Sequence, residues 1–234
     1  MKLYEKKLIV NADDFGYRRE INNAIIFAHR NGVVTDTTVL TQREGFDHAI
    51  TLIKENPNLK TGLHIDLDAI YMMREPNRFF KRIPKVTPAM LIIVKDAIDK
   101  QLDKFLKAGF ALSHFDSHHH AHMHPEVLPL VAKKAKEYNV PIRFFNGYYN
   151  CSKFLYKNLE KEVLLPILKE FGTRHPYFLI DKFDLDSDYN TGEVMMHPGF
   201  KERWRNVDLA KCCNPELKQE LSEKNVEAVS FEEF

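Results

Sequence analysis

Along this chain, short runs of apolar residues alternate with longer stretches in which apolar positions recur every three or four residues. "KLIVNADDFG" begins with a compact apolar run and reads as a buried strand ending near Asn11. "REINNAIIFAHRNG" then places Ile21, Ala24, Ile25 and Ala28 on one helix face, with Gly32 as C-cap. The pairing repeats with "TDTTVLT" as a strand, "GFDHAITLIKENP" as a helix stopped by Pro57, and "KTGLHIDL" as a third strand. Residues 70–86 carry two prolines and no period, and read as a long loop. The clearest helix is "TPAMLIIVKDAIDKQLDKFLKAG", with Thr87 as N-cap, Pro88 at its first position and Gly109 at its end. "ALSHFDS" is a strand, "PEVLPLVAKKAKEYN" a helix and "PIRFF" a strand. A helical region near Lys157–Phe171 follows, then strands at Tyr177–Ile180 and Glu193–Met196, the helix "PELKQELSEKN" and the strand "VEAVSF".

Seven or eight strands alternating with helices predict an α/β protein with a parallel sheet. No linker, repeat or low-complexity segment interrupts the 234 residues. One domain over residues 1–234 is therefore expected, and a (β/α) barrel fits it better than an open doubly wound sheet. Composition changes this little: 44% hydrophobic and 29% charged residues suit a globular chain with a sizeable core. A net charge of +1 without long charge blocks gives no footprint for nucleic acid or a membrane surface. No window reaches 18 uncharged apolar residues, and the run at Leu8–Val10 is too short for a signal-peptide core. The three cysteines, Cys151, Cys212 and Cys213, form no C-x-x-C pair. They read as reduced, so a cytoplasmic location is expected.

Polar residues cluster at four predicted strand ends: "NADDFG" (Asn11–Gly16), "GLH" (Gly62–His64), "DSHHHAHMH" (Asp116–His124) and "MMHPG" (Met195–Gly199). Barrel enzymes place catalytic groups at such ends. Asp13 and Asp14 read either as a polar turn capping the next helix or as diverging carboxylates, one on a cation and one acting as base. His64 alone reads as an ordinary strand histidine; with other ligand types present it becomes a candidate ligand. Five histidines crowd the third cluster, and in an extended segment His118, His120, His122 and His124 would share a face opposite His119. They cannot all bind one ion, because a mononuclear site takes three or four ligands. The bland alternative is a surface tract that picks up metal adventitiously. His197 ends a strand before a Pro-Gly turn, and its ordinary pKa of about 6.5 would let it carry a proton near neutral pH. Cys212 and Cys213 invite a thiolate site, but the Asn214 and Pro215 that follow them read as an ordinary helix start. Trp204 suits either a sugar ring or loop packing. Imidazoles and carboxylates with an open position describe metal-assisted hydrolysis of an amide or ester.

Taken together, "IVNADDFG", "GLH", "DSHHHAHMHP" and "EVMMHPGF", with "NNAIIFAHRNGVVTDTTVLT" and the closing "PELKQELSEKNVEAVSFEEF", resemble the YdjC-like carbohydrate deacetylases, a family that includes chitooligosaccharide deacetylases. The resemblance implies a distorted (β/α) barrel related to the polysaccharide deacetylases. It implies removal of an N-acetyl group from an amino sugar or short chitooligosaccharide, with acetate released. By that resemblance Asp13 matches the base, Asp14, His64 and His118 match the metal ligands, and His197 matches the histidine of the HPG turn, a candidate acid. His120 and His122 would line the pocket or support the ligands, while His119 and His124 receive no role. Resemblance implies magnesium, whereas imidazole-rich ligation favours zinc. A homodimer is also implied by resemblance. One departure bears on the substrate: after "GLH" the chain runs "IDLDAIYMMREPNRFF", without glycine and with added acidic residues. The competing functions are a phosphoesterase, against which the missing Gly-rich phosphate loop counts, and a metal-binding protein without catalysis.

Overall fold

The computed structural model describes residues 6–71, 86–144, 163–179, 183–186 and 188–234. Its strands are β1 (Lys6–Phe15), β2 (Asp36–Val39), β3 (Lys60–Ile65), β4 (Leu112–Ser117), β5 (Tyr177–Leu179), β6 (Thr191–Met196) and β7 (Val226–Val229). They form one sheet in the order β4-β3-β2-β1-β6-β5, with β7 also beside β1, and every pairing is parallel. The helices are α1 (Arg19–Asn31), α2 (Phe46–Lys54), α3 (Asp68–Tyr71), α4 (Pro88–Lys107), α5 (Leu128–Tyr138), α6 (Leu165–Phe171), α7 (Arg203–Cys212) and α8 (Pro215–Glu223). Short 3₁₀ turns occupy His118–Met123 and Phe231–Glu233.

Strand periodicity divides the chemistry. Leu8, Val10 and Ala12 of β1 enter the main core, as do Leu63 and Ile65 of β3, Phe115 of β4, and Val194 and Met196 of β6. Alternate residues face the other way, and they include Asn11, Asp13, His64, His114, Asp116 and Glu193, all buried. The sheet curls around this polar face. Strands β4 and β1 are separated by β3 and β2, so a flat sheet would hold them roughly 14 Å apart. Yet Arg143 reaches Asp116 on β4 at 2.8 Å, Asp13 on β1 at 2.7 Å and Glu193 on β6 at 2.6 Å. The parallel α/β class is as expected. The closed ring is not what the described residues form: β4 and β5 end the sheet, a half-barrel, and do not pair with each other among them.

At one end of the curl, Phe231 stacks on His114 with ring centroids 3.6 Å apart. Gly62 makes this possible, because a Cβ there would lie 2.5 Å from the His114 ring. Helix α4 starts as its sequence predicts: the Met90 N–H donates to Thr87 Oγ1 at 3.2 Å, behind Pro88. Asn214 caps α8 in the same way. The segment "PIRFF" contributes one parallel bridge, Ile142 to Phe115, instead of a full strand. Residues 72–85 of the predicted loop, the first part of the predicted helix near Lys157, and Cys151 lie outside the described residues. Helix α7 was not expected. Its buried stripe is Arg205, Asp208 and Cys212, while Trp204 and Val207 are exposed, so its polarity is inverted and no apolar period marks it. No described helix is long and apolar enough to cross a membrane.

Candidate active site

Strand β1 continues past Asn11 to Phe15, so Asp13 and Asp14 lie in the strand and not in a turn. Neighbours in a regular strand point to opposite faces. Here Ala12 pairs with Thr37 and Phe15 with Val39, which inserts one extra residue into β1, and Asp14 takes φ 74°. This bulge brings both carboxylates to the concave side. His64 Nε2 lies 4.0 Å from Asp13 Oδ2 and 3.7 Å from Asp14 Oδ1.

Asp13 is gripped by Arg143, which donates from Nη1 to Oδ2 and from Nη2 to Oδ1, each at 2.7 Å. Asn11 Nδ2 adds a third bond at 2.8 Å. Burial alone would raise the Asp13 pKa, but Arg143, with His64 and His197, holds it well below the usual carboxylate range. Asp13 is therefore an anion at neutral pH. Glu193 shares the guanidinium, yet burial dominates there and pushes it up to about 7.

Asp14 divides its oxygens. Oδ2 accepts from Arg205 Nη2 at 2.5 Å. Oδ1 is buried without a hydrogen bond, 3.3 Å from His118 Nδ1 and 3.7 Å from His64 Nε2. These three atoms lie within 4.8 Å of one another. A buried carboxylate oxygen left over between two imidazole nitrogens fits a divalent cation, and each ring has a carboxylate on its far side, as metal-bound histidines usually do. His64 Nδ1 meets Asp116 Oδ1 at 2.6 Å, and His118 Nε2 faces Asp68 Oδ2 at 3.6 Å. Burial would lower the His64 pKa; Asp116, Asp13 and Asp14 outweigh it and raise it to about 9.

His197 leaves β6 on the Pro198–Gly199 turn. Only glycine fits at 199, because a Cβ would lie 2.7 Å from Arg205 Cδ. The His197 N–H donates to Asp208 Oδ2 at 3.1 Å, and its Nε2 faces Asp13 Oδ2 at 3.8 Å. Burial pushes its pKa below the ordinary value against the pull of Asp13, Asp14 and Asp208. The ordinary value expected from sequence does not hold here: most of the ring is neutral at pH 7, and its protonated form is the stronger acid. Trp204 meets His197 edge-on at 5.6 Å and packs under Arg205 at 4.3 Å, with about half of its surface exposed.

The histidine run is not extended, so the predicted sharing of faces does not occur. It coils through 3₁₀ turns, with His119 at φ 52° and His120 at φ 57°. His122 is fully buried behind Arg143. Its Nε2 donates to the Arg143 carbonyl at 2.9 Å and its Nδ1 accepts from Ser117 Oγ at 2.5 Å. Burial lowers its pKa to about 4, so it is a neutral prop for the arginine segment. His120 is buried near Asp13 and His197, and burial lowers its pKa well below the ordinary value. The His124 carbonyl accepts the N–H groups of Val127 and Leu128 at the start of α5. His119 Nδ1 meets Asp68 Oδ1 at 3.0 Å. Cys212 is buried, which raises its thiol far above the ordinary range, and no cysteine joins a ligand cluster among the described residues.

Sequence reasoning missed Arg143, Arg205, Asp208 and Asp68. Arg143 had one signal, an arginine inside the apolar run "PIRFF".

Comparison with known proteins bears on the family and the fold. The family model described as YdjC-like protein matches residues 7–223. A carbohydrate deacetylase of Brevibacillus brevis is 35% identical, over 97% of this chain and 99% of that protein. One of Clostridium beijerinckii is 31% identical, over 97% of this chain and 100% of that protein. A crystal structure from Enterococcus faecalis, described as a cellobiose-phosphate cleavage protein, shares the fold with a TM-score of 0.77 at 23% identity, over 98% of both chains. The chain belongs to the YdjC-like protein family.

Proposed function

We propose that this chain is a metal-dependent carbohydrate deacetylase that hydrolyses the N-acetyl group of an amino sugar or short chitooligosaccharide and releases acetate. One observation carries the reading: Asp13, Asp14, His64, His118 and His197, from four separate strand ends, meet around the unbonded Asp14 Oδ1. The relatives named carbohydrate deacetylase support the substrate class.

Asp14, His64 and His118 would hold one divalent ion, with zinc favoured by the two imidazoles and magnesium by family resemblance. When bound, that ion polarises the amide carbonyl and acidifies water. Asp13, kept anionic by Arg143, takes the proton of the attacking water at its carboxylate. Arg205 holds Asp14 Oδ2 and leaves Oδ1 for the ligand role. His197, whose backbone N–H is held by Asp208, gives a ring proton to the departing sugar nitrogen, which is a poor leaving group until it has one. His120 lines the pocket beside these groups, and His122 keeps Arg143 in place. The whole-chain fold in this reading is the distorted barrel of the polysaccharide deacetylases, with the chain a homodimer, as family resemblance implies, and cytoplasmic, as its cysteine usage suggests.

The test is incubation of metal-loaded protein with N-acetylglucosamine, diacetylchitobiose and a phosphate ester. Acetate release is the expected result. Phosphate release, or no product from any of the three, overturns it. Metal content should fall sharply in Asp14→Asn, His64→Ala and His118→Ala, and full occupancy in His64→Ala would sink the ligand assignment.

A further inference from the structure

Two features of the sequence remain outside this reading: the acidic "IDLD" after "GLH", and His119. In the fold they meet. Asp68 opens α3, and its Oδ1 lies 3.0 Å from His119 Nδ1 while its Oδ2 lies 3.6 Å from His118 Nε2. One ligand atom from each of Asp68, His118 and His119 falls within 4.8 Å of the others. The left-handed backbone at His119 and His120 brings the rings of His118 and His119 together, with centroids 4.0 Å apart. All three side chains keep between 16% and 20% of their exposure, so an ion can reach them from solvent.

We propose that Asp68, His118 and His119 form a second divalent-cation position on the solvent side of His118. The inference rests on the inner position, Asp14–His64–His118, being the metal site proposed above. Two imidazole nitrogens and one carboxylate oxygen, with room for water, are a zinc-type donor set. Arg43 Nη2 holds Asp68 Oδ2 at 3.0 Å, which steadies the carboxylate and leaves Oδ1 toward His119. His118 faces both positions, with Nδ1 toward Asp14 and Nε2 toward Asp68. The outer position lies nearer solvent and shares His118 with the inner one, so it is the weaker and fills second. An ion there draws on His118 and narrows access to the inner position, so excess zinc slows turnover.

Calorimetric titration of the full metal-free chain with zinc chloride tests this. Two equivalents are expected, the second at least tenfold weaker than the first. His119→Ala should lose the weaker event and keep a tight first one, and Asp68→Asn, which also takes the carboxylate from behind His118, should lose the weaker event and weaken the first by about 10–100-fold; circular dichroism confirms that each variant is folded. His64→Ala should lose the tight event. A wild-type chain that takes up one zinc ion, lost in His64→Ala, overturns the outer position and leaves the proposed function standing. A second equivalent that survives in both His119→Ala and Asp68→Asn also overturns it. A single ion lost in His119→Ala but kept in His64→Ala overturns the inner assignment, and with it the proposal that the outer position is a second and weaker one.

Discussion

Replacing Arg143 with methionine removes the only described cation that touches Asp13, Asp116 and Glu193 together. The side chain is wholly buried, so water cannot replace it. Losing one partner of a buried ion pair costs about 3–5 kcal/mol. Three carboxylates do not triple this figure. Glu193, already raised to about 7, takes a proton readily at neutral pH, and Asp116 keeps His64. The loss therefore falls chiefly on Asp13, and about 4 kcal/mol is expected at pH 7. With a urea slope of about 3 kcal/mol per M, the unfolding midpoint falls by more than about 1 M. The pH dependence has a fixed sign. The pKa of Asp13 is depressed in the folded protein, so its stabilisation is present above the ordinary carboxylate value and is lost as pH falls through the folded one. The gap between wild type and Arg143→Met should be wide at pH 7 and narrow toward acid. Turnover should also drop at pH 7 and partly recover at higher pH, because the unopposed burial of Asp13 raises its pKa. Glu193→Gln, which keeps an oxygen for Arg143 Nε, should cost no more than about 1 kcal/mol. An unchanged midpoint for Arg143→Met at pH 7, or a gap that widens toward acid, refutes the reasoning.

Metal affinity should rise about tenfold per pH unit between pH 7 and 9, because His64, raised to about 9, must lose its proton before Nε2 can act as a ligand; competition with a chelator of known protonation measures it, and a flat profile counts against the site. Asp13→Asn should keep its metal and lose turnover; near-wild-type activity would put the base elsewhere. His197→Ala should keep metal and lose roughly a hundred- to ten-thousand-fold in turnover on an amide, with a smaller loss on an ester; equal losses would remove it as acid. Arg205→Met should lower metal affinity by about 10–100-fold, the usual effect of freeing a ligand from its outer partner, and an unchanged dissociation constant would assign Arg205 to packing alone.

The sequence exposes those parts of the site whose residues interrupt a local pattern. Asp13, His64, Asp116 and His197 break apolar strands near their ends, so both the strands and the chemistry are readable. The bulge at Asp14 is not, because no glycine or proline marks it and its evidence is the register against β2. Arg143 resembles any strand arginine until Asp13, Asp116 and Glu193 converge on it from three strands. Helix α7 escapes for the opposite reason: it buries Arg205 and Asp208 toward the site and shows Trp204 and Val207 to water, which cancels the periodicity by which helices are recognised. The histidine run misleads because alternation presumes an extended backbone, and two successive positive φ angles replace it.

Strand β1 lies at the middle of the sheet and carries both carboxylates, yet its neighbours are made late. Residues 36–39 flank one edge only from Asn11 onward; the remainder of that edge pairs with residues 226–229, and the opposite edge with residues 191–196. During synthesis this strand therefore waits, with one edge open, until the last strands emerge. Such distant pairings make the route to the folded state slow, and an unpaired apolar strand invites association with other chains. Recovery of soluble protein should thus depend more on temperature and synthesis rate than the stability of the finished fold would suggest.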